Sequence, residues 1–445
     1  MLDAFIRHPF MGRTGVAECS PRAFVAAMCR VECALARVQE RAGLLPAGTA
    51  AAIETGLDID AFDIDALATD TADGGNVAIP FVQQARAMLG SDLRAHFHYG
   101  ATSQDIVDSA LMLIIRPGLD RIGQRLVEAR SHGSALMTAH ARTPMIGRTL
   151  MQQALPITFG AKVAHWLWGL AQAETRLGDI AVNGLFVQFG GPVGVHTGMP
   201  DHGPELMDAL ADELGLNGPL LPWHTDRQPI VALGDALDAV AIAAEKIALD
   251  VALMAQTEIG ELSEPAATGA GGSSSMPHKR NPVGCTRMRV AARQSHANVG
   301  LLHDVAAQPL ERGLGEWQAE WAPLIDTLHQ VEGMLDTLVV LLEGLEVHVE
   351  AMQQNLRLAG SAFLAGPARN ILTPHFEPAR AEQRVAEAIQ QAASQRRDLA
   401  DVLLDQSDVA VQVDAKRLRA ALDPLAHVGA SLAQVERVHQ ALSCM

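Results

Sequence analysis

Residues 269–282, GAGGSSSMPHKRNP, bring Ser273, Ser274, Ser275, His278, Lys279 and Asn281 into one short run behind Gly269, Gly271 and Gly272. Hydroxyls, an imidazole, an ammonium and a carboxamide are groups that bind anions and move protons. The glycines leave the backbone free to carry them to a substrate. A plain connection between two helices would not need them. Asn281 followed by Pro282 has the residue types of an N-cap and a first helical position, which sets the open amides of a helix behind the loop. An anionic ligand suits that arrangement.

A second cluster lies at HFHYGATSQD, residues 96–105. Thr102 with Asp105 three residues on has the spacing of a capping box, and the apolar run after it predicts a long helix with a bend at Pro117. Thr102 and Ser103 can serve that helix as caps or serve an anion as donors, and their types allow both. His98 and Tyr99 add polar groups to the same turn.

The elements that must hold these groups are helices. The chain has 445 residues, 49% of them apolar but only 4% aromatic, with Tyr99 the single tyrosine. Ala- and Leu-rich runs with so few aromatic residues point to an all-α fold. Periodicity predicts a helix from Pro21 that Gly43 stops, with Phe24, Met28, Val31, Leu35 and Val38 on one stripe. Others are expected at Pro80–Leu89, Phe159–Asp179, Pro229–Leu262, from Pro282, and at Leu314–Val349, with a turn at 142–160. The Gly-rich stretch 184–203 lacks a nucleotide-binding pattern and reads as a tight loop or short hairpin. The longest helices, each about 50 Å at the standard rise, are apolar around most of their surface, so a bundle completed by other subunits is expected. The divisions fall into a helical domain at 1–101, a long-helix domain at 102–351 and a C-terminal helical domain at 352–445.

Composition excludes several classes. A formal net charge of -17 opposes nucleic-acid binding. No basic, apolar leader precedes the first helix, and charges interrupt every apolar run before membrane length, so a cytoplasmic protein without membrane contact is expected. The five cysteines show no disulfide framework; Cys29 and Cys33, on one helical face, read as packed thiols. No HExxH, EF-hand or carboxylate cluster asks for a metal, and no cofactor is expected.

GSSSMPHKRN at 272–281, HYGATSQD at 98–105 and GRTLMQQALPITFG at 147–160 resemble, in order and separation, the active-site blocks of the fumarase/aspartase superfamily. The resemblance spans essentially the whole chain. It implies a three-domain all-α fold, a homotetramer with a multi-helix core, and active sites to which three subunits each contribute one block. It also implies that Ser273 is the base, with Lys279 beside it, and that His98 and Asn281 bind substrate.

Two departures select the branch. Lyases of this superfamily that expel a separate leaving group carry a histidine where Leu150 stands and a glutamate where Thr286 stands. Losing both leaves no unpaired remnant, as in a site rebuilt for chemistry without that dyad. With GGNVAIPFV at 74–82 and EWQAEW at 316–321, the chain resembles the cycloisomerase branch. That likeness implies interconversion of 3-carboxy-cis,cis-muconate and 4-carboxymuconolactone in protocatechuate degradation. A tethered carboxylate leaves as a stable anion and needs no strong acid, which fits the missing dyad. Lys279 and loop amides would stabilise the doubly charged aci-carboxylate. Thr102, Ser103, Arg148, Gln152 and Arg312 would hold the carboxylates of the tricarboxylate substrate, guanidinium forks matching two oxygens at once. His278 is a candidate for positioning the loop, and Trp317 with Trp321 reads as packing. The other readings are an adenylosuccinate-type lyase, a fumarase-like hydratase and a non-enzymatic helical scaffold such as a lens crystallin.

Overall fold

The computed structural model describes residues 2–199, 201–265, 279–359, 361–395 and 397–445. Helices dominate these residues, in the all-α class that composition indicated. Helix α1, Pro21–Arg41, starts as its residue types require: the Ser20 hydroxyl accepts from the Ala23 amide at 3.2 Å and Pro21 fills the first turn. Its buried face carries Met28, Val31, Leu35 and Val38, and Gly43, at φ +76°, ends it. Cys29 and Cys33 are buried there, where loss of solvent pushes their thiols up to about 12 and about 11.

Next come α2, Ala78–Met88, and α3, Ser103–Ala139, whose 37 residues continue through Pro117. Residues 142–160 are not a plain turn. They form a hairpin of β1, Pro144–Thr149, and β2, Gln152–Thr158, displaced in register between Ile146 and Arg148. A Cβ on the intervening Gly147 would lie 2.9 Å from the Leu155 carbonyl. Strands this short leave little alternation to read.

Helices α4, Phe159–Asn183, and α5, Gly203–Leu214, follow, then α6, Gln228–Met254. The expected helix to Leu262 stops early, and 262–263 instead form β3, paired with β4 at Glu346–Val347. Between them lie α7, Val283–Asp304, and α8, Trp321–Glu343. The predicted continuous helix at 314–349 is broken: Glu316–Ala319 is a separate turn of helix behind Gly315, at φ +111°. Trp317 and Trp321 pack edge to face at 4.9 Å, as their spacing suggested.

The chain divides into two compact units, one of residues 1–126, 172–245 and 287–337, the other of 127–171, 246–286 and 338–445. In the second, Leu372, Ala381, Val385, Ala388, Leu403 and Leu418 enclose an apolar core of the C-terminal helices. Helices α6 and α8 are largely buried within the chain, with Ile242 and Val340 their exposed large apolar side chains. No helix of the described residues is long and apolar enough to cross a membrane.

Candidate active site

In the first unit the amino end of α3 is organised by Asp105, which is 1% exposed. One of its oxygens accepts from the Gly190 amide at 3.0 Å and meets Nε2 of His224 at 2.7 Å. The other accepts from the amides of Gly191 and Thr102, both at 2.9 Å. The capping box therefore forms by half. Asp105 reaches back to the Thr102 amide as its spacing predicts, and it also ties down the Gly-rich loop, which the spacing did not show. The Thr102 hydroxyl instead accepts from a guanidinium N–H of Arg312 at 3.0 Å. Two residues assigned to substrate, 210 apart in sequence, are thus brought together.

Arg312 is half-buried, and burial pulls its guanidinium below the ordinary value despite the partly compensating Asp105 and Asp108. A buried network stands behind it. Arg227, 1% exposed, is held by Asp108 and Glu320 at 2.8 Å each, and the Trp317 indole donates to Asp108 at 2.8 Å. Arg312 lies 5.9 Å from the Trp317 ring centre. Among the described residues, Arg227 has its carboxylates and Arg312 has a hydroxyl.

His98 meets Glu32 of α1 through Nδ1 at 2.6 Å, and the Glu32 side chain is 1% exposed. Burial works to lower the imidazole, but Glu32 outweighs it and holds His98 above the ordinary histidine value. Ser103 is half-buried at the start of α3.

In the second unit Arg148 presents its fork to Glu261, at 2.8 and 2.9 Å, and fully buried Glu261 accepts from Asn355 at 2.8 Å as well. The guanidinium assigned to a substrate carboxylate is therefore engaged by a carboxylate of its own chain. Gln152 is exposed at the start of β2, Lys279 is exposed, and Asn281 is half-buried. Ser273, Ser274, Ser275 and His278 lie outside the described residues.

The open helix amides expected behind Asn281 are corrected. Glu264 accepts from the Gly284 amide at 2.9 Å and the Cys285 amide at 2.7 Å, so a carboxylate from upstream caps α7. The helix begins at Val283, and Asn281 is not its cap. Arg280 is fixed to Glu346 at 2.7 and 2.8 Å, and Ser263 meets Nε2 of His348 at 2.9 Å.

Backbone strain marks the same segments. Among the described residues, the non-glycine ones with positive φ are His98, Leu150, Met151, His196 and Leu310. Leu150 and Met151 form the two-residue turn of the hairpin at φ +50° and +63°, a place where Asn and Gly are the unstrained choice, and Leu150 is 97% exposed. Leu310 precedes Arg312 by two residues. Such strain persists where function or surroundings demand it.

Glu32, Glu261 and Glu264 were missed by sequence reasoning. Glu32 left a signal: it falls between Met28 and Leu35 on the apolar stripe of α1, where an ionisable side chain needs a partner. Glu261 and Glu264 left none, because their partners are defined by packing.

The fold is all-α, and in its first unit a half-buried guanidinium meets a hydroxyl at the amino end of a long helix. The family model described as lyase matches residues 15–295, and the chain belongs to that family, within the fumarase/aspartase superfamily. It is 38% identical over 448 residues to a 3-carboxy-cis,cis-muconate cycloisomerase of Pseudomonas aeruginosa, covering 99% of this chain and 97% of that one. It is 37% identical to a nitrosuccinate lyase of Streptomyces davaonensis, covering 98% and 94%. The crystal structure of the 3-carboxy-cis,cis-muconate lactonizing enzyme from Pseudomonas putida superposes with a TM-score of 0.89 at 34% identity, covering 100% of this chain and 99% of that one.

Proposed function

We propose that the protein is a cycloisomerase interconverting 3-carboxy-cis,cis-muconate and 4-carboxymuconolactone. The observation that carries the anion-binding part is Arg312: a half-buried guanidinium whose partner among the described residues is the Thr102 hydroxyl, whereas Arg148, Arg227 and Arg280 each have carboxylates. A planar cation without its own acid is a receptor for one from solution. Relatives of that activity at full length support the choice of tricarboxylate.

In the lactonising direction one carboxylate oxygen adds to the carbon bearing the middle carboxylate, and a proton is delivered to the neighbouring carbon. Ser273 holds that proton in one direction and removes it in the other. Lys279 offsets the charge that grows on the terminal carboxylate. Arg312 with Thr102, Ser103, His98, Gln152 and Asn281 orient the carboxylates, and Arg148, braced by Glu261, supports the hairpin end of the site. The leaving oxygen is a carboxylate, so Leu150 and Thr286 stand without loss where an acid dyad would stand.

The protein assembles as a cytoplasmic homotetramer with shared sites and the domain division 1–101, 102–351 and 352–445. Support for assembly comes from loop tips rather than long helices: Leu310 and Leu314 beside Arg312 are 86% and 90% exposed, as Leu150 and Met151 are 97% and 72%. A second reading, elimination of nitrite from nitrosuccinate, is favoured by the Streptomyces relative and by the same missing dyad, since nitrite also leaves as a stable anion.

The test is to incubate the protein separately with 3-carboxy-cis,cis-muconate, nitrosuccinate, adenylosuccinate and fumarate, following diene loss and product by absorbance and NMR. Turnover of nitrosuccinate alone would replace the first reading by the second, and turnover of none would remove both. Sedimentation at micromolar concentration is expected to show a tetramer. A fully active monomer would rule out shared sites.

A further inference from the structure

His98 is clamped from both sides. The Arg86 guanidinium of α2 donates to the Phe97 carbonyl at 3.1 Å, and the Gln39 carboxamide of α1 donates to the Tyr99 carbonyl at 2.7 Å. Between these anchors His98 takes φ +62°, and Gly100, at φ +71°, completes the turn where a Cβ would run into the Met199 methyl. The strained backbone delivers the imidazole onto Glu32.

Glu32 has no other partner among the described residues, and a carboxylate buried without a counter-charge is strongly unfavourable, so a proton on His98 is the charge that matches it. The groups acting on the ring come from three helices: Glu32 of α1 and Asp105 of α3 favour its charged form, and Arg86 of α2 opposes it. The other ring nitrogen, Nε2, has no partner among the described residues. A neutral histidine used only for packing would not need a buried acid behind it.

We propose that Glu32 is a positioning residue for the reaction: it fixes the Nδ1 proton of His98 and keeps the ring an imidazolium, so that Nε2–H meets a substrate carboxylate at the amino end of α3. No bond to His98 forms or breaks, and its proton stays in place throughout. The inference rests on the polycarboxylate reading of the site and adds a charge-setting acid to it. The consequence is an affinity that depends on pH through this one ring. With the carboxylate present the imidazolium persists to higher pH than an ordinary histidine would allow; without it the ring loses its proton earlier and the site loses a cation.

The experiment uses the full assembled chain and tricarballylate, an unreactive tricarboxylate, as the calorimetric probe, with the wild type, Glu32→Gln and His98→Gln measured from pH 6 to pH 9. At pH 8 Glu32→Gln is expected to bind about tenfold more weakly than the wild type, one charge-assisted contact having been lost. Toward pH 6 the gap should narrow as the ring of Glu32→Gln regains its proton, a return that burial and Arg86 delay to below the ordinary histidine range. His98→Gln should be weak at every pH and lack the alkaline decline. A loss in Glu32→Gln that is equal at all pH values, or none at pH 8, would overturn the proposal, as would an alkaline decline that persists in His98→Gln.

A second readout needs no ligand. The pH midpoint of hydrogen–deuterium exchange at the imidazole carbon of His98, followed by mass spectrometry, should fall in Glu32→Gln. An unchanged midpoint overturns the role of Glu32. A midpoint that falls in a protein binding no tricarboxylate would instead refute the substrate reading and confine the pair to setting the ring's charge.

Discussion

Replacing Asp105 by asparagine tests whether one buried carboxylate holds the amino end of α3 and the Gly-rich loop together. The aspartate receives the amides of Gly190, Gly191 and Thr102 and meets His224, at 2.7 to 3.0 Å. Asparagine keeps the shape with a single acceptor oxygen. Set toward Gly191 and Thr102, that oxygen retains two amides, and the new NH2 group faces Gly190 and His224. The histidine can change tautomer and accept from it, since its Nδ1 has no partner among the described residues to lose. The Gly190 amide is stranded, at about 1 to 3 kcal/mol, and the three remaining contacts lose an ionised partner, at about 1 kcal/mol each. The total, about 4 to 6 kcal/mol, is a large part of the stability of an ordinary domain. Urea unfolding by circular dichroism at fixed protein concentration should show a clearly lower midpoint for Asp105→Asn. KM should rise as well, because the Thr102 backbone that presents its hydroxyl to Arg312 is no longer tied down. Wild-type values for both midpoint and KM would refute the claim that Asp105 organises this turn.

Lys279→Met is expected to lower kcat by about a hundredfold to a thousandfold through loss of one cation opposite the growing carboxylate charge, with unchanged sedimentation; near-normal turnover would make the lysine structural. Arg312→Lys keeps the charge but loses the planar fork, so KM should rise about tenfold with a smaller change in kcat, and a pure kcat effect would assign Arg312 to the chemical step. The double variant Leu150→His with Thr286→Glu restores a dyad for which the cycloisomerisation has no use, and it also removes the Thr286 hydroxyl bond to the Pro282 carbonyl. Its lactonising activity should drop; faster lactonisation than wild type would show that an acid at position 150 is useful.

Much of this protein is local and was therefore legible in the chain itself. Helical periodicity, Ser20 with Pro21, and Gly43 determine α1, because each acts within a turn or two of its own position. The residue types of the three blocks, and the joint absence of a histidine at 150 and a glutamate at 286, likewise need no structure to be seen. The hairpin was less legible, since a buried Met145–Ile146 pair and two left-handed residues form too short a pattern to announce strands. What only the tertiary structure decided is which charge meets which. Arg148 is taken by Glu261, Arg280 by Glu346 and the α7 amides by Glu264, while Arg312 meets Thr102 and His98 meets Glu32, 66 residues away in sequence. Identical guanidiniums and carboxylates have identical local propensities, and their roles separate when packing removes water from some and leaves others without an opposite charge.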